Sequence, residues 1–119
     1  GACLVGLGLY TAGVMGNDPR LVGKILKAAG EAGEKIWELP LDDELRADIK
    51  SDVADIKNAG SRWGGAITAA MFLENFVGET PWAHIDLAGP AYAEREGEFS
   101  PKGGTGFGVR TIIDYILGL

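Results

Sequence analysis

The sequence is poor in the residues that cross-link small proteins or bind metals: its 119 residues include one cysteine, Cys3, and one histidine, His84. A single cysteine cannot form an internal disulfide, which suits a reducing compartment, and we take the cytoplasm as the default location. No His and Cys cluster, and no Asp and Glu spacing of the zinc type, is present. We therefore expect neither a disulfide scaffold nor a metal centre within these residues.

Basic residues are also scarce, since 11 Lys and Arg stand against 17 Asp and Glu for a net charge of −6. No group of basic residues is interleaved with aromatic ones, so nucleic acid is not an expected partner. Long hydrophobic runs are missing too. The uncharged opening, residues 1–17, is too short to span a bilayer and lacks the basic start of a signal peptide, so no membrane association is expected.

Residues 81–89 predict a central strand, around which the other elements are organised. Their alternation places Ala83, Ile85 and Leu87 on one face of the strand. Helical patterns lie on both sides of this stretch, which is the arrangement of an α/β layer with crossover helices. Ligands of such sheets gather beyond the carboxyl ends of the strands, so a site is expected just after Leu87.

Four helices are predicted from apolar periodicity and end signals, one of them after a cap at Asp42 with Leu45 and Ile49 on its inner face. The clearest begins at Asp18, followed by Pro19 at the first helical position, and stops at Gly33. Another, over residues 64–77, is apolar nearly all round and should be buried. The last, over residues 105–117, carries an apolar stripe at helical spacing that is typical of a core-facing surface: Val109, Ile112, Ile113, Ile116 and Leu117.

Taken together, these patterns predict an α/β fold over residues 1–119, with part of a mixed, largely parallel sheet and crossover helices. The length is enough for one ordinary domain. The chain opens on small apolar residues without a polar start, and we interpret it as the interior of a longer sequence. The fold is therefore expected to be incomplete.

Two groups of residues could carry chemistry on their own. His84 and Asp86 share a face of the predicted strand, where a carboxylate could orient an imidazole, but no nucleophile completes the set and a structural role is favoured. The glycine-rich stretch over residues 102–110 precedes a helix and could hold an anion. A helix entry that packs closely on its neighbours is the favoured interpretation of that stretch.

Six blocks resemble one family when taken together: GAC (1–3), LYTAGV (9–14), KSDVADIKN (50–58), GAITAA (65–70), WAHIDLAG (82–89) and GTGFGVRT (104–111). They are similar, in order and with plausible spacing, to the C-terminal part of the leucyl (cytosol) aminopeptidases. The resemblance implies an incomplete catalytic domain of a hexameric two-metal enzyme, with zinc or manganese, that removes N-terminal residues from peptides. It also implies that the metal ligands, the catalytic lysine and the catalytic arginine lie upstream of Gly1, so no catalytic or metal-binding residue and no cofactor is expected here.

The resemblance does imply three substrate-binding residues. Gly1 matches a glycine whose backbone amide faces the substrate, and Ala88 matches an alanine lining the pocket for the first side chain. Ala91 stands where several relatives have methionine, which predicts a roomier pocket. The upstream half of the enzyme is then the expected partner. The alternatives are a free-standing α/β interaction or assembly module without catalysis and, less favoured, an anion-binding domain.

Overall fold

The computed structural model describes residues 1–98 and 100–119, so Phe99, within the predicted connection after the 81–89 strand, lies outside the described residues. The elements follow in the order α1 (Ala2–Leu7), β1 (Ala12–Gly16), α2 (Pro19–Ala32), β2 (Ile36–Glu38), a 3₁₀ helix (Asp43–Ile49), α3 (Gly65–Glu74), β3 (Ala83–Asp86), β4 (Tyr92–Ala93), β5 (Gly103–Gly104) and α4 (Val109–Leu117). The predicted α/β class is confirmed.

The main sheet has the strand order β2-β1-β3. β1 pairs in parallel with β2 and antiparallel with β3, so the sheet is mixed, as expected. The prediction that residues 81–89 form the central strand is wrong for this part of the chain, because β1 lies between the other two strands. Burial agrees with this order. Val14 and Met15 of β1 point to opposite faces and are both fully buried, whereas every residue of β3 is only half-buried.

The crossover from β1 to β2 is α2, and the end signals of this helix act as predicted. The Asp18 carboxylate accepts hydrogen bonds from the backbone N–H groups of Arg20 at 2.8 Å and Leu21 at 3.3 Å. Gly33 closes the helix with φ of 73°, a left-handed conformation that glycine adopts without strain. The inner face of α2 packs on Val14 of the central strand, so this helix and the sheet form the core.

The segment after the 3₁₀ helix is only partly buried. Helix α3 ends at Glu74, several residues before the predicted end, and it buries Ala66, Ala70 and Met71. Phe76 follows the helix and is 69% exposed, so the expectation that residues 64–77 are buried throughout is wrong. The sequence of this segment is apolar on all sides, but the described residues bury only one side of it.

Helix α4 is rotated relative to the prediction. Its apolar stripe faces outward: Val109 is 57% exposed, Ile113 53% and Leu117 80%. The opposite side packs toward α2 and carries Thr111, which is fully buried. A polar contact made by Thr111, described below, sets this orientation and outweighs the apolar pattern.

The molecule exposes more surface than a typical protein of its mass. Its accessible area is 7983 Å², against about 6,200 Å² expected for a folded monomer of 12.5 kDa. Its radius of gyration is 15.2 Å, against about 13.5 Å for an ordinary domain of this length. The excess, roughly 1,800 Å² on one chain, is about twice the 800 Å² or so that each partner buries in a standard protein–protein interface.

We expect the isolated chain to self-associate and to bind a hydrophobic dye, because the exposed stripe of α4 is too apolar to remain in water unpartnered. Ile113→Lys should lower both signals, since it places a charge in the middle of that stripe. Val53→Lys is the matched control, because Val53 is 98% exposed and lies in the loop after the 3₁₀ helix, outside the α4 stripe. The measurements are light scattering and dye fluorescence; a monodisperse wild-type monomer without dye binding would contradict the expectation.

Candidate functional site

A tight turn follows β3 at the position where the sequence predicts a site. The N–H of Ala91 donates to the carbonyl of Leu87 at 3.0 Å, which closes the turn. Gly89 is buried within it, and a Cβ atom at this position would lie 2.8 Å from the carbonyl oxygen of Gly8. Glycine is therefore required here so that the turn can pack against the end of α1.

Helix α1 brings the start of the chain next to this turn. The Cys3 thiol is buried and donates a long hydrogen bond, 3.7 Å, to the carbonyl of Asp86. Burial raises the pKa of Cys3, and the negative charge of Asp86 raises it further. Gly1 and Ala88 are each two residues from this contact, so two of the three predicted substrate-binding residues lie in one region, and both are exposed.

The third predicted residue, Ala91, is half-buried and is held by the glycine-rich loop, residues 102–108. The backbone N–H of Thr105 donates to the Ala91 carbonyl at 3.0 Å. The Thr105 hydroxyl donates to the carbonyl of Pro90 at 2.6 Å and accepts from the N–H of Phe107 at 3.1 Å. The turn and the loop are therefore joined by consecutive hydrogen bonds, which the sequence analysis did not predict.

Glu34 anchors the other end of the glycine-rich loop. Its buried carboxylate accepts from the backbone N–H of Gly108, from the N–H of Thr111 at 2.8 Å and from the Thr111 hydroxyl at 3.1 Å. These N–H groups lie at the start of α4, where an external anion would bind. The predicted alternative of an anion site at this helix start is therefore disfavoured, because the protein's own carboxylate occupies the position.

A groove of about 1120 Å³ lies beside the same loop, between the end of α2 and the segment around β4. Its lining includes Tyr10, Pro90, Tyr92, Phe107 and Arg110. Gly1, Ala88 and Ala91 do not line it. Pro90 and Tyr92 thus face the groove, while Ala91 between them belongs to the other side of the segment.

The His84 and Asp86 pair does not form an acid–base arrangement. The His84 ring stacks on Trp82, with ring centroids 6.3 Å apart and an angle of 25° between the planes. The Asp86 carboxylate instead lies 3.5 Å from the backbone N–H of Ala88, at the start of the turn. The structural hydrogen-bonding role that the sequence favoured for His84 stays a prediction, because the contact seen here is ring stacking.

The described residues, 1–98 and 100–119, contain no group of three His, Cys, Asp or Glu side chains placed to hold a metal ion. Within the same ranges, no helix has both the length and the apolar character that crossing a bilayer needs. The turn, the loop and the Glu34 anchor are thus the features on which a functional assignment can be based.

Comparison with known proteins defines the class of protein. Residues 1–113 match the model of the cytosol aminopeptidase family, catalytic domain. A probable cytosol aminopeptidase of Aquifex aeolicus is 58% identical over 119 residues, and one of Geobacter sp. strain M21 is 57% identical over 116 residues. Each alignment covers 98% of this chain and 24% of the relative. The chain thus spans about a quarter of the length of these curated relatives.

Solved structures agree with this class. A mutant of tomato leucine aminopeptidase has a TM-score of 0.93 and 38% identity. The match covers 100% of this chain and 23% of the tomato chain. The bottromycin maturation enzyme BotP in complex with Mn has a TM-score of 0.92 and 42% identity. The match covers 98% of this chain and 26% of the BotP chain. The chain belongs to the cytosol aminopeptidase family, as the resemblance of its sequence blocks had implied.

The buried thiol of Cys3 gives a prediction about pH. Because the pKa of Cys3 is raised in the fold, the thiol contributes fully to stability below its unfolded pKa of about 8.5, and the contribution is lost as the pH rises from there through the folded pKa. The free energy of unfolding should therefore fall more steeply above pH 8.5 for the wild type than for Cys3→Ala. Urea titrations from pH 7 to 10 measure this, and equal slopes would contradict it.

Proposed function

We propose that these residues are part of a two-metal aminopeptidase that releases N-terminal amino acids from peptides, and that this part supplies scaffold and one wall of the substrate pocket. The observation that carries the proposal is the family match over residues 1–113. The excess exposed surface supports it, because an apolar helix stripe facing outward fits a segment that packs against the rest of a larger enzyme.

The proposed role of this part is to position the substrate. Ala88 and Ala91 lie in and at the end of the turn that follows β3, and Gly1 lies at the other end of α1, which packs on the same turn. Small side chains leave room for a substrate side chain, and the hydrogen bonds of the turn hold the wall in place. This supports a first-side-chain pocket with apolar walls.

Two divalent metals, zinc or manganese, are the proposed cofactors of the whole enzyme; the related BotP structure contains Mn. The described residues do not fit a metal site, since they bring no three ligand side chains together. We therefore assign the ligands to the remaining part of the protein and derive no step through the metals. A cytoplasmic location, a homo-hexamer and the upstream half of the enzyme as partner belong to the same proposal.

The alternative is a free-standing α/β interaction or assembly module without catalysis. Such a module would also expose an apolar surface for its partner, so the outward-facing stripe of α4 fits both proposals. The match to the aminopeptidase family over residues 1–113 favours the enzyme segment.

The isolated 119-residue chain is expected to hydrolyse no leucyl amide, because the metal ligands are assigned to the rest of the protein. The full-length enzyme should hydrolyse it when zinc or manganese is supplied. Release of p-nitroaniline from leucine p-nitroanilide measures both. Turnover by the isolated chain above a metal-only blank would contradict the division of roles, and a full-length protein inactive with both metals would contradict the proposed activity.

In the full-length enzyme, Ala91→Met should narrow the pocket and penalise bulky first residues. An added side chain in a packed wall costs about 1–3 kcal/mol, so kcat/KM for leucyl substrates should fall roughly 5- to 150-fold relative to alanyl substrates. Ala47→Met is the matched control, because Ala47 is exposed on the 3₁₀ helix. Equal losses for alanyl and leucyl substrates would show that Ala91 does not line the pocket.

A further inference from the structure

We propose that Thr105 is a positioning residue that fixes the substrate-pocket wall, and that Glu34 acts as its second anchor. The inference rests on the proposed function, because it concerns the turn that carries Ala88 and Ala91. Neither Thr105 nor Glu34 is among the substrate-binding residues that the family resemblance implies.

Three hydrogen bonds of Thr105 carry the first step. Its N–H and its hydroxyl donate to two successive carbonyls, those of Ala91 and Pro90, at 3.0 and 2.6 Å. The same hydroxyl accepts from the N–H of Phe107 at 3.1 Å. Thr105 is the point at which the end of the turn is tied to the glycine-rich loop, through a contact between residues 15 positions apart.

The turn has few other supports on this side. Among the described residues, its other polar contacts, from Ala91 to Leu87 and from Ala88 to Asp86, lie within the turn and the end of β3. They fix its internal shape and leave its distance from the loop open. The Thr105 bonds set that distance together with the adjacent pairing of Tyr92 with Gly104 in β4 and β5.

The loop can only hold the turn if the loop is itself fixed. Gly108 follows Thr105 by three residues, and its N–H donates to the buried carboxylate of Glu34. Glu34 is in turn tied to the end of α2, where its N–H donates to the carbonyl of Ala29 at 2.9 Å. Hydrogen bonds at both ends of the loop, joined by its backbone from Thr105 to Gly108, therefore connect the end of α2 to Ala91.

The test uses the full-length enzyme with alanyl and leucyl amides as substrates. Thr105→Val keeps the shape of the side chain and removes the hydroxyl, which leaves the Pro90 carbonyl and the Phe107 N–H without their partner. We expect KM for the leucyl substrate to rise by about 5- to 30-fold, with kcat changed less than about twofold, since loosening the wall weakens binding more than chemistry. Thr105→Ser keeps the hydroxyl and should behave as wild type.

Thr68→Val is the matched control. It removes the hydroxyl of a buried threonine, which donates at 3.2 Å to the carbonyl of Gly65 within its own helix. It should leave KM unchanged. The proposal is overturned if Thr105→Val leaves KM unchanged, if Thr105→Ser is as impaired as Thr105→Val, or if Thr68→Val raises KM equally.

A second variant covers the case in which Thr105→Val does not fold. Glu34→Gln keeps the size of the anchor and removes its charge, so the loop should loosen and KM should rise in the same direction by a smaller factor. A folded Glu34→Gln enzyme with wild-type KM for both substrates would overturn the proposal. Wild-type enzyme inactive on both amides would instead overturn the proposed function, so the two failures are distinguishable.

Discussion

The buried carboxylate of Glu34 is the group on which the arrangement of the last third of the chain depends. It satisfies the backbone N–H groups of Gly108 and Thr111 at the start of α4, which would otherwise be buried without acceptors. A negative charge is also favourable at the positive end of a helix. Because the anchor comes from the end of α2, it places α4 against α2 and aligns the glycine-rich loop with the turn after β3.

This contact also explains how one side of the molecule became apolar and exposed. Thr111 has to face Glu34, and the rotation that this requires turns Ile113 and Leu117 outward. A charge-assisted hydrogen-bond cluster has thereby set the orientation of a helix whose apolar residues alone favour the opposite one. The outward face is then available to pack against the rest of the enzyme that we propose. Val109 at the start of this face also lines the groove, so the two adjoin there.

The sequence predicts well what local signals determine. Helix α2 has its cap, its first-turn proline and its terminal glycine within 16 residues, and the structure confirms each of them. The family was identified from short blocks, and the family match confirms it, whereas the site expected after β3 from the general rule for α/β sheets stays a prediction. The prediction was wrong where partners lie far apart: the central strand is β1, and the rotation of α4 depends on a contact between residues 77 positions apart. Thr105 was missed for the same reason, since no periodicity links it to Pro90. The roles of Gly1, Ala88 and Ala91 stay predictions.

The distance along the chain between Glu34 and Thr111 also bears on how this region folds. Closing a free loop of 77 residues would cost roughly 4 kcal/mol of chain entropy beyond a constant, which a few hydrogen bonds of about 1 kcal/mol each only partly offset. The contact therefore depends on the earlier pairing of β1 with β3, which shortens the loop. The α4 start, the glycine-rich loop and the turn after β3 are therefore expected to form together, late, and to open together as one cooperative unit. A substrate held against the turn would then slow amide exchange at the start of α4, on the far side of the loop.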